Sequence, residues 1–245
     1  MIKQKLKLYI QNSLFQPKPY DIFFNPYFIT RRKLYVVLRK YINDRFSRTL
    51  DFGCGEKPYK SLFSTNDYVG VDIKVSGHNN KNSVIDVYYD GETLPFTDQS
   101  FDCIFSSEVF EHLFNLNEML LELKRVLSDD GQMIITVPFA WPEHEQPYDF
   151  GRYTTFALDQ IINDAGLKVK RRVKTGSYIS VLGQLIINYV YMRIFPKNKY
   201  FRLILTPLLA PLTLITLVLD FLLPRDMTLY HNHVMILTKK KSTNC

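Results

Sequence analysis

The stretch Leu50-Asp51-Phe52-Gly53-Cys54-Gly55-Glu56-Lys57-Pro58-Tyr59 constrains the fold more than any other part of this chain. An apolar run ends in an acidic residue and meets two closely spaced glycines, the pattern of a strand passing into a tight turn. Gly53 and Gly55 let the backbone turn sharply and come within contact distance of a ligand, where a Cβ would collide. A dinucleotide fingerprint needs a small residue at position 58 so that a helix N-terminus can approach a pyrophosphate. Pro58 stands there, which disfavours NAD and FAD.

The turn sits in a repeating context. From Arg48 onward β-rich runs at 49–52, 68–73, 83–87, 101–106 and 132–137 alternate with helical segments. Such alternation implies a mostly parallel sheet covered by helices. Leu116, Leu120, Leu123 and Leu127 recur at helical spacing and are expected to face that sheet as plain core. A further helix follows Thr154, with Gly166 at the position of a left-handed C-terminal cap. Strands at 167–174 and 233–238 complete the pattern, and 46% hydrophobic residues supply the core such a domain needs.

A ligand without phosphate suits this turn. S-adenosylmethionine carries a cationic ammonium and sulfonium, so carboxylates at strand ends partner it better than helix dipoles do. Asp51 ends the first strand, and Asp72 ends the next, where a carboxylate can accept both hydroxyls of a ribose. The downstream run Asp90-Gly91-Glu92-Thr93-Leu94-Pro95-Phe96, followed by Ser100-Phe101-Asp102, then makes the pattern specific.

Together these motifs, in this order over roughly residues 48–175 and the last strand, resemble the type 11 family of class I S-adenosylmethionine-dependent methyltransferases. The resemblance implies an α/β, Rossmann-like seven-stranded sheet with helices on both faces and an antiparallel last strand. It implies S-adenosyl-L-methionine as cofactor, with Asp90 beside the adenine amino group and the strand of Cys103 to Ser107 lining the methionine end. The expected cofactor-binding set is Asp51, Gly53, Cys54, Gly55, Asp72, Ile73, Asp90, Ser106 and Ser107. Lys57 departs from the family, which often has a third glycine there.

Methyl transfer from an activated donor needs alignment of the reactants and, for some acceptors, removal of a proton. The segment 138–154 follows the fifth strand at the carboxyl end of the sheet, and it is rich in aromatic and ionisable residues. Its H-x-x-P-x-D-x-x-R-Y-T stretch resembles a signature of one type 11 subgroup. His144 is expected to act as general base with Asp149 orienting it; the competing reading is that an Arg152–Asp149 pair merely fixes the loop. His112 is expected to pack at a helix start. His231 and His233 lie two apart without a third ligand, and no metal is expected.

Three cysteines, Cys54, Cys103 and Cys245, show neither disulfide nor metal spacing. Lys3, Lys5 and Lys7 alternate with Leu6, Leu8 and Ile10 rather than preceding an unbroken apolar run, so export is not expected and a cytoplasmic setting is. The net charge of +7 favours anionic surroundings. The basic residues are dispersed, however, and no specific nucleic-acid partner is expected.

Three parts follow: a basic, aromatic arm and helix over 1–45 acting as a lid, the cofactor-binding domain over 46–176 plus 230–241, and an apolar helical insertion over 177–229. A single membrane crossing by the insertion conflicts with strands on either side pairing in one sheet. A crossing hairpin would translocate Arg193, Lys197, Lys199 and Arg202, against the usual charge bias. Residues 178–223 are therefore expected to lie in a membrane interface, with a homodimer contact or an ordinary helical subdomain as the alternatives. The acceptor that follows is a small-molecule, envelope-related or lipid-linked compound, methylated on oxygen, with nitrogen or carbon as the alternatives. A non-enzymatic binding module and an RNA methyltransferase are the rival readings.

Overall fold

Alternating β-rich and helical runs fold into a seven-stranded sheet in the order β3-β2-β1-β4-β5-β7-β6. The computed structural model describes residue 9, residues 12–74 and residues 84–240. Expectations resting on residues 1–8, 10, 83, 241 and 245 lie outside these. The strands are β1 (Arg45–Phe52), β2 (Ser64–Ile73), β3 (Val87–Tyr89), β4 (Phe101–Ser107), β5 (Leu127–Pro138), β6 (Leu167–Thr175) and β7 (Asn232–Lys239). β1 pairs in parallel with β2 and β4, β2 with β3, and β4 with β5, while the last strand runs antiparallel as expected.

Strand order reverses at β1, which has β2 on one side and β4 on the other. Ligands of open α/β sheets bind beyond the carboxyl ends of strands at such a reversal. The register Asp51↔Phe105 across β1 and β4 puts the end of β1 beside the end of β4.

The chain divides into two compact units, residues 41–173 with 233–245, and residues 1–40 with 174–232. In the first, Leu50, Ile104, Met133 and Ile135 from the sheet meet Leu120 and Leu123 from helix α2 (Leu116–Val126) in one core. Thr154 caps the next α/β-unit helix (Thr155–Asp164), its hydroxyl accepting from Ala157 N at 3.2 Å. Gly166 follows it with φ +72°, the left-handed conformation expected there.

Three boundaries differ from the sequence reading. Helix α2 stops at Val126, and Leu127, expected on its inner face, opens β5 and is buried there instead. β3 covers 87–89 rather than 83–87. Asp86 ends its approach because its carboxylate is used sideways, accepting from Gly70 N at 2.6 Å. Helix α1, which the sequence suggests over 31–43, spans Phe28–Tyr41.

The second unit is built from α1 and the apolar helices, of which the helix Tyr178–Tyr189 and the helix Ala210–Leu222 pack most closely. Gly183 makes that approach possible: a Cβ there would lie 2.2 Å from Thr216 Cγ2. Buried polar bonds tie the N-terminal segment into the same unit. Gln184 Nε2 donates to Pro26 O at 2.8 Å, and Thr30 Oγ1 meets His231 Nδ1 at 3.0 Å. Lys33 pairs with Asp220 at 2.7 Å.

Candidate active site

At the end of β1 the expected turn forms with its glycines in the left-handed region, φ +69° at Gly53 and +46° at Gly55. A Cβ on Gly53 would strike Val109 Cγ2 at 2.4 Å, whereas open space lies where a Cβ on Gly55 would be. The turn therefore needs glycine at 53 for packing and presents bare backbone at 55. Lys57 takes φ +53°, the conformation a third glycine would supply, and its buried ammonium pairs with Asp86. Gly70 makes room for it, since a Cβ there would sit 2.2 Å from Lys57 Cε. Cys54 is buried against the same place, 2.7 Å from that hypothetical Cβ, so it offers the turn its backbone rather than its thiol.

Asp51 is buried and accepts a hydrogen bond from the Tyr68 hydroxyl at 2.7 Å. Burial, the largest influence, lifts its carboxyl to about 7, against the opposing pull of that hydroxyl and of Lys57. Asp72 Oδ2 accepts from Gly55 N at 2.9 Å and Oδ1 from Ile73 N at 2.8 Å. An ionised carboxylate has about four lone-pair sites, so these bonds leave Asp72 able to accept hydroxyls as well. Asp90 is exposed, and its Oδ1 accepts from Glu92 N and Thr93 N at 2.9 and 2.8 Å. Those two bonds lower its pKa and fix the turn it stands on.

On β4, Ser106 is fully buried and its hydroxyl has no hydrogen-bond partner, while Ser107 Oγ meets Thr136 Oγ1 at 2.9 Å. Thr136 Oγ1 also donates to Glu108 Oε1 at 2.7 Å. The open space over Gly55, the orphaned Ser106 hydroxyl and the two acidic strand ends fit a cationic, hydroxyl-bearing nucleoside.

Past β4 the chain makes a short turn, Phe110–His112, and the segment after β5 folds onto it. Phe150 N and Gly151 N both donate to Glu111 O, at 2.8 and 3.2 Å. This brings His112 and His144 ring to ring, with centroids 4.9 Å apart. Asp149 is gripped by Arg152, with Nη1 2.5 Å from Oδ1 and Nη2 2.7 Å from Oδ2, and accepts from His144 N at 3.0 Å. Burial would raise the Asp149 carboxyl, but the guanidinium and the His144 N–H outweigh it and hold it down at about 2. His144 Nδ1 lies 3.2 Å from Asp149 Oδ2, and burial, then His112, lowers the pKa of the imidazole. The Arg152–Asp149 pair of the loop-fixing reading is present, and Asp149 also faces His144.

Glu111 was not singled out from sequence. It is completely buried, neither carboxylate oxygen has a hydrogen-bond partner, and burial, reinforced by Glu108, pushes its pKa well up. A carboxylate inside the apolar run Val109-Phe110-Glu111-His112-Leu113 was the available signal. For Lys57 the sequence shows the departure from a family glycine and not its pairing, because its partner Asp86 is 29 positions away.

The strand order, the reversed last strand and the acidic glycine turn define a class I, Rossmann-like methyltransferase fold. Residues 50–135 match the methyltransferase domain family of type 11. That match spans about a third of this chain, and S-adenosyl-L-methionine is the cofactor that a methyltransferase domain of this kind implies. It is similar to two uncharacterized proteins of Methanocaldococcus jannaschii. MJ1252 is 36% identical over 105 residues, covering 41% of this chain and 40% of its own length. MJ1123 is 31% identical over 120 residues, covering 48% and 57%. The chain spans about half the length of the curated relatives it matches.

Solved structures share the fold at low identity. A chain of the complex containing the Haloferax volcanii Trm112 methyltransferase activator matches with TM-score 0.54, 17% identity and coverage of 84% of this chain and 89% of that one. The [4+2]-cyclase SpnF matches with TM-score 0.56 and 14% identity over 84% and 81%. The YcgJ protein of Bacillus subtilis matches with TM-score 0.51 and 15% identity over 85% and 98%. A cyclase among them illustrates that this fold alone does not fix the reaction.

Proposed function

We propose that the protein transfers the methyl group of S-adenosyl-L-methionine to an oxygen of a lipid-linked or other envelope-related small molecule, working at the cytoplasmic face of a membrane. The cofactor, when bound, supplies an activated methyl group. Asp51 neutralises its ammonium end, Asp72 accepts the ribose hydroxyls, Ile73 and Asp90 flank the adenine, and Ser106 and Ser107 line the methionine end. Bare backbone at Gly53, Cys54 and Gly55 forms the floor. On the acceptor side Asp149, immobilised by Arg152, holds His144 where it draws the proton from a hydroxyl as that oxygen takes the methyl group. His144→Ala should lower turnover roughly 10²-fold or more while leaving cofactor affinity nearly unchanged.

The lipid-linked class is supported by one observation, the inverted face pattern of the apolar helix over Lys199–Leu222. Its buried positions are Thr206, Leu209, Ala210, Thr213 and Thr216, small or hydroxylated for the most part. Its exposed positions include Ile204, Leu208, Ile215, Val218 and Phe221. Each threonine hydroxyl returns its hydrogen bond to the carbonyl four residues earlier, at 2.8 to 3.0 Å. Water-facing helices put large apolar residues inward, whereas lipid-facing ones put small residues at the helix contact and large apolar ones outward. Exposed Arg193 and Lys197 just ahead of it and Lys199 at its first position are suited to anionic headgroups.

Membrane fractions incubated with methyl-labelled cofactor and the purified protein test the acceptor. Label recovered in the lipid-linked extract supports the reading. Label confined to water-soluble products, or to RNA, contradicts it.

A further inference from the structure

We propose that Glu111, His112 and His144 hold a first-row divalent cation, against the expectation from sequence that no metal is bound. One donor atom from each lies within 4.8 Å of the other two. Two ligands about 2.1 Å from a tetrahedral ion stand about 3.4 Å apart, so the widest pair must close by about an ångström, a displacement that side-chain rotation can supply. His112 Nε2 and Glu111 Oε1, at 3.7 Å, are already close to that spacing.

The hydrogen-bonding pattern around His112 suits a cation. Its Nδ1 is 2.7 Å from the carbonyl of Tyr148, and a carbonyl only accepts, so Nδ1 carries the hydrogen. Nε2 of the neutral ring is then a lone pair. It is buried, has no hydrogen-bond partner, and faces Glu111 Oε1 and Glu145 Oε2, each 3.7 Å away. Glu111 is fully buried with both oxygens likewise lacking a hydrogen bond. With Glu111 ionised and the ring neutral, three buried acceptors converge, an arrangement that is costly unless a cation or a proton joins them.

Both histidines also have the outer support that metal-binding imidazoles use, one ring nitrogen held by an oxygen so that the other is aimed. For His112 that oxygen is the Tyr148 carbonyl, and for His144 it is Asp149 Oδ2 at 3.2 Å from Nδ1. Arg152 fixes Asp149 in turn. Two imidazoles and a carboxylate suit zinc, cobalt or iron better than magnesium or calcium.

The consequence for catalysis rests on the methyl-transfer reading; the binding does not. With the ion in place His144 acts through it. A bound ion would lower the pKa of an acceptor hydroxyl coordinated to it. The proton would then pass to solvent as the oxygen takes the methyl group, and His144 would serve as a ligand rather than as the general base.

The test is a titration of Co²⁺ alone into the chelator-treated full chain, followed by visible absorption, with calorimetric titration of S-adenosyl-L-methionine on the same samples. One ion per chain, displaced by Zn²⁺, is the expected result. Glu111→Gln and His112→Ala should weaken it at least tenfold, and Asp149→Asn roughly 10- to 100-fold, with cofactor binding retained as the measure of an intact fold. Absence of saturable one-to-one binding by the native chain overturns the proposal whatever the variants do. So does unchanged affinity in both Glu111→Gln and His112→Ala. In that case a protonated His112 between Glu111 and Glu145 accounts for the cluster. Loss of cofactor binding by the native chain would instead count against the methyl-transfer reading.

Discussion

Asp51 meets two opposing demands at one carboxylate. Burial lifts it from an ordinary 3.8 to about 7, so the fold prefers it protonated, whereas a cationic ligand prefers it charged. A carboxyl that holds its proton more tightly folded than unfolded stabilises the fold most at low pH. That contribution fades as pH rises from about 3.8 towards 7. Cofactor binding should run the other way. Between about pH 5 and 7, where an α-amino group stays protonated, affinity should rise by up to about tenfold per pH unit and then level off. Asp51→Asn should flatten this profile, and calorimetry across pH checks both. Gly53→Ala combines a left-handed backbone, costing about 1–2 kcal/mol, with a collision at Val109. It should lower thermal stability and cofactor affinity together. The glycines and aspartates of the turn were legible in the sequence because their meaning is local. Glu111 and Lys57 were not, because the groups that explain them are brought close only by folding.

The elements divide along the same line. Strand and helix types followed from apolar periodicity, and the Thr154 and Gly166 caps from residue chemistry alone. β3 was misplaced because Asp86 uses its side chain on the neighbouring strand, a tertiary effect that no local pattern carries. In the apolar helix over Lys199–Leu222 the composition was obvious. Which face it hides was not, since threonine and leucine alternate without a clear polar stripe. Exposure resolves this, with Phe221 86% and Ile204 70% accessible. The wild-type chain is expected to float with anionic phospholipid vesicles, less so as salt rises. Ile204→Glu with Phe221→Glu should abolish flotation without loss of cofactor binding; flotation that survives would remove the membrane from the account.

At the scale of the molecule, the methyltransferase-like stretch is legible in the sequence because its motifs are linked in order over residues 50–135. In the sequence the N-terminal arm is separate from the insertion, although Pro26, Thr30 and Lys33 bond to Gln184, His231 and Asp220 in one unit. Contacts spanning 154 to 201 positions leave no mark on local composition. The proposed cofactor site lies at the reversal of strand order. Calorimetric titration of S-adenosyl-L-methionine into the native chain and Asp72→Ala tests it most directly. One site per native chain is expected, weakened roughly ten- to hundredfold by loss of a charged hydrogen-bond acceptor worth about 1.5–3 kcal/mol. No binding by the native chain, or equal affinity in the variant, would contradict the account.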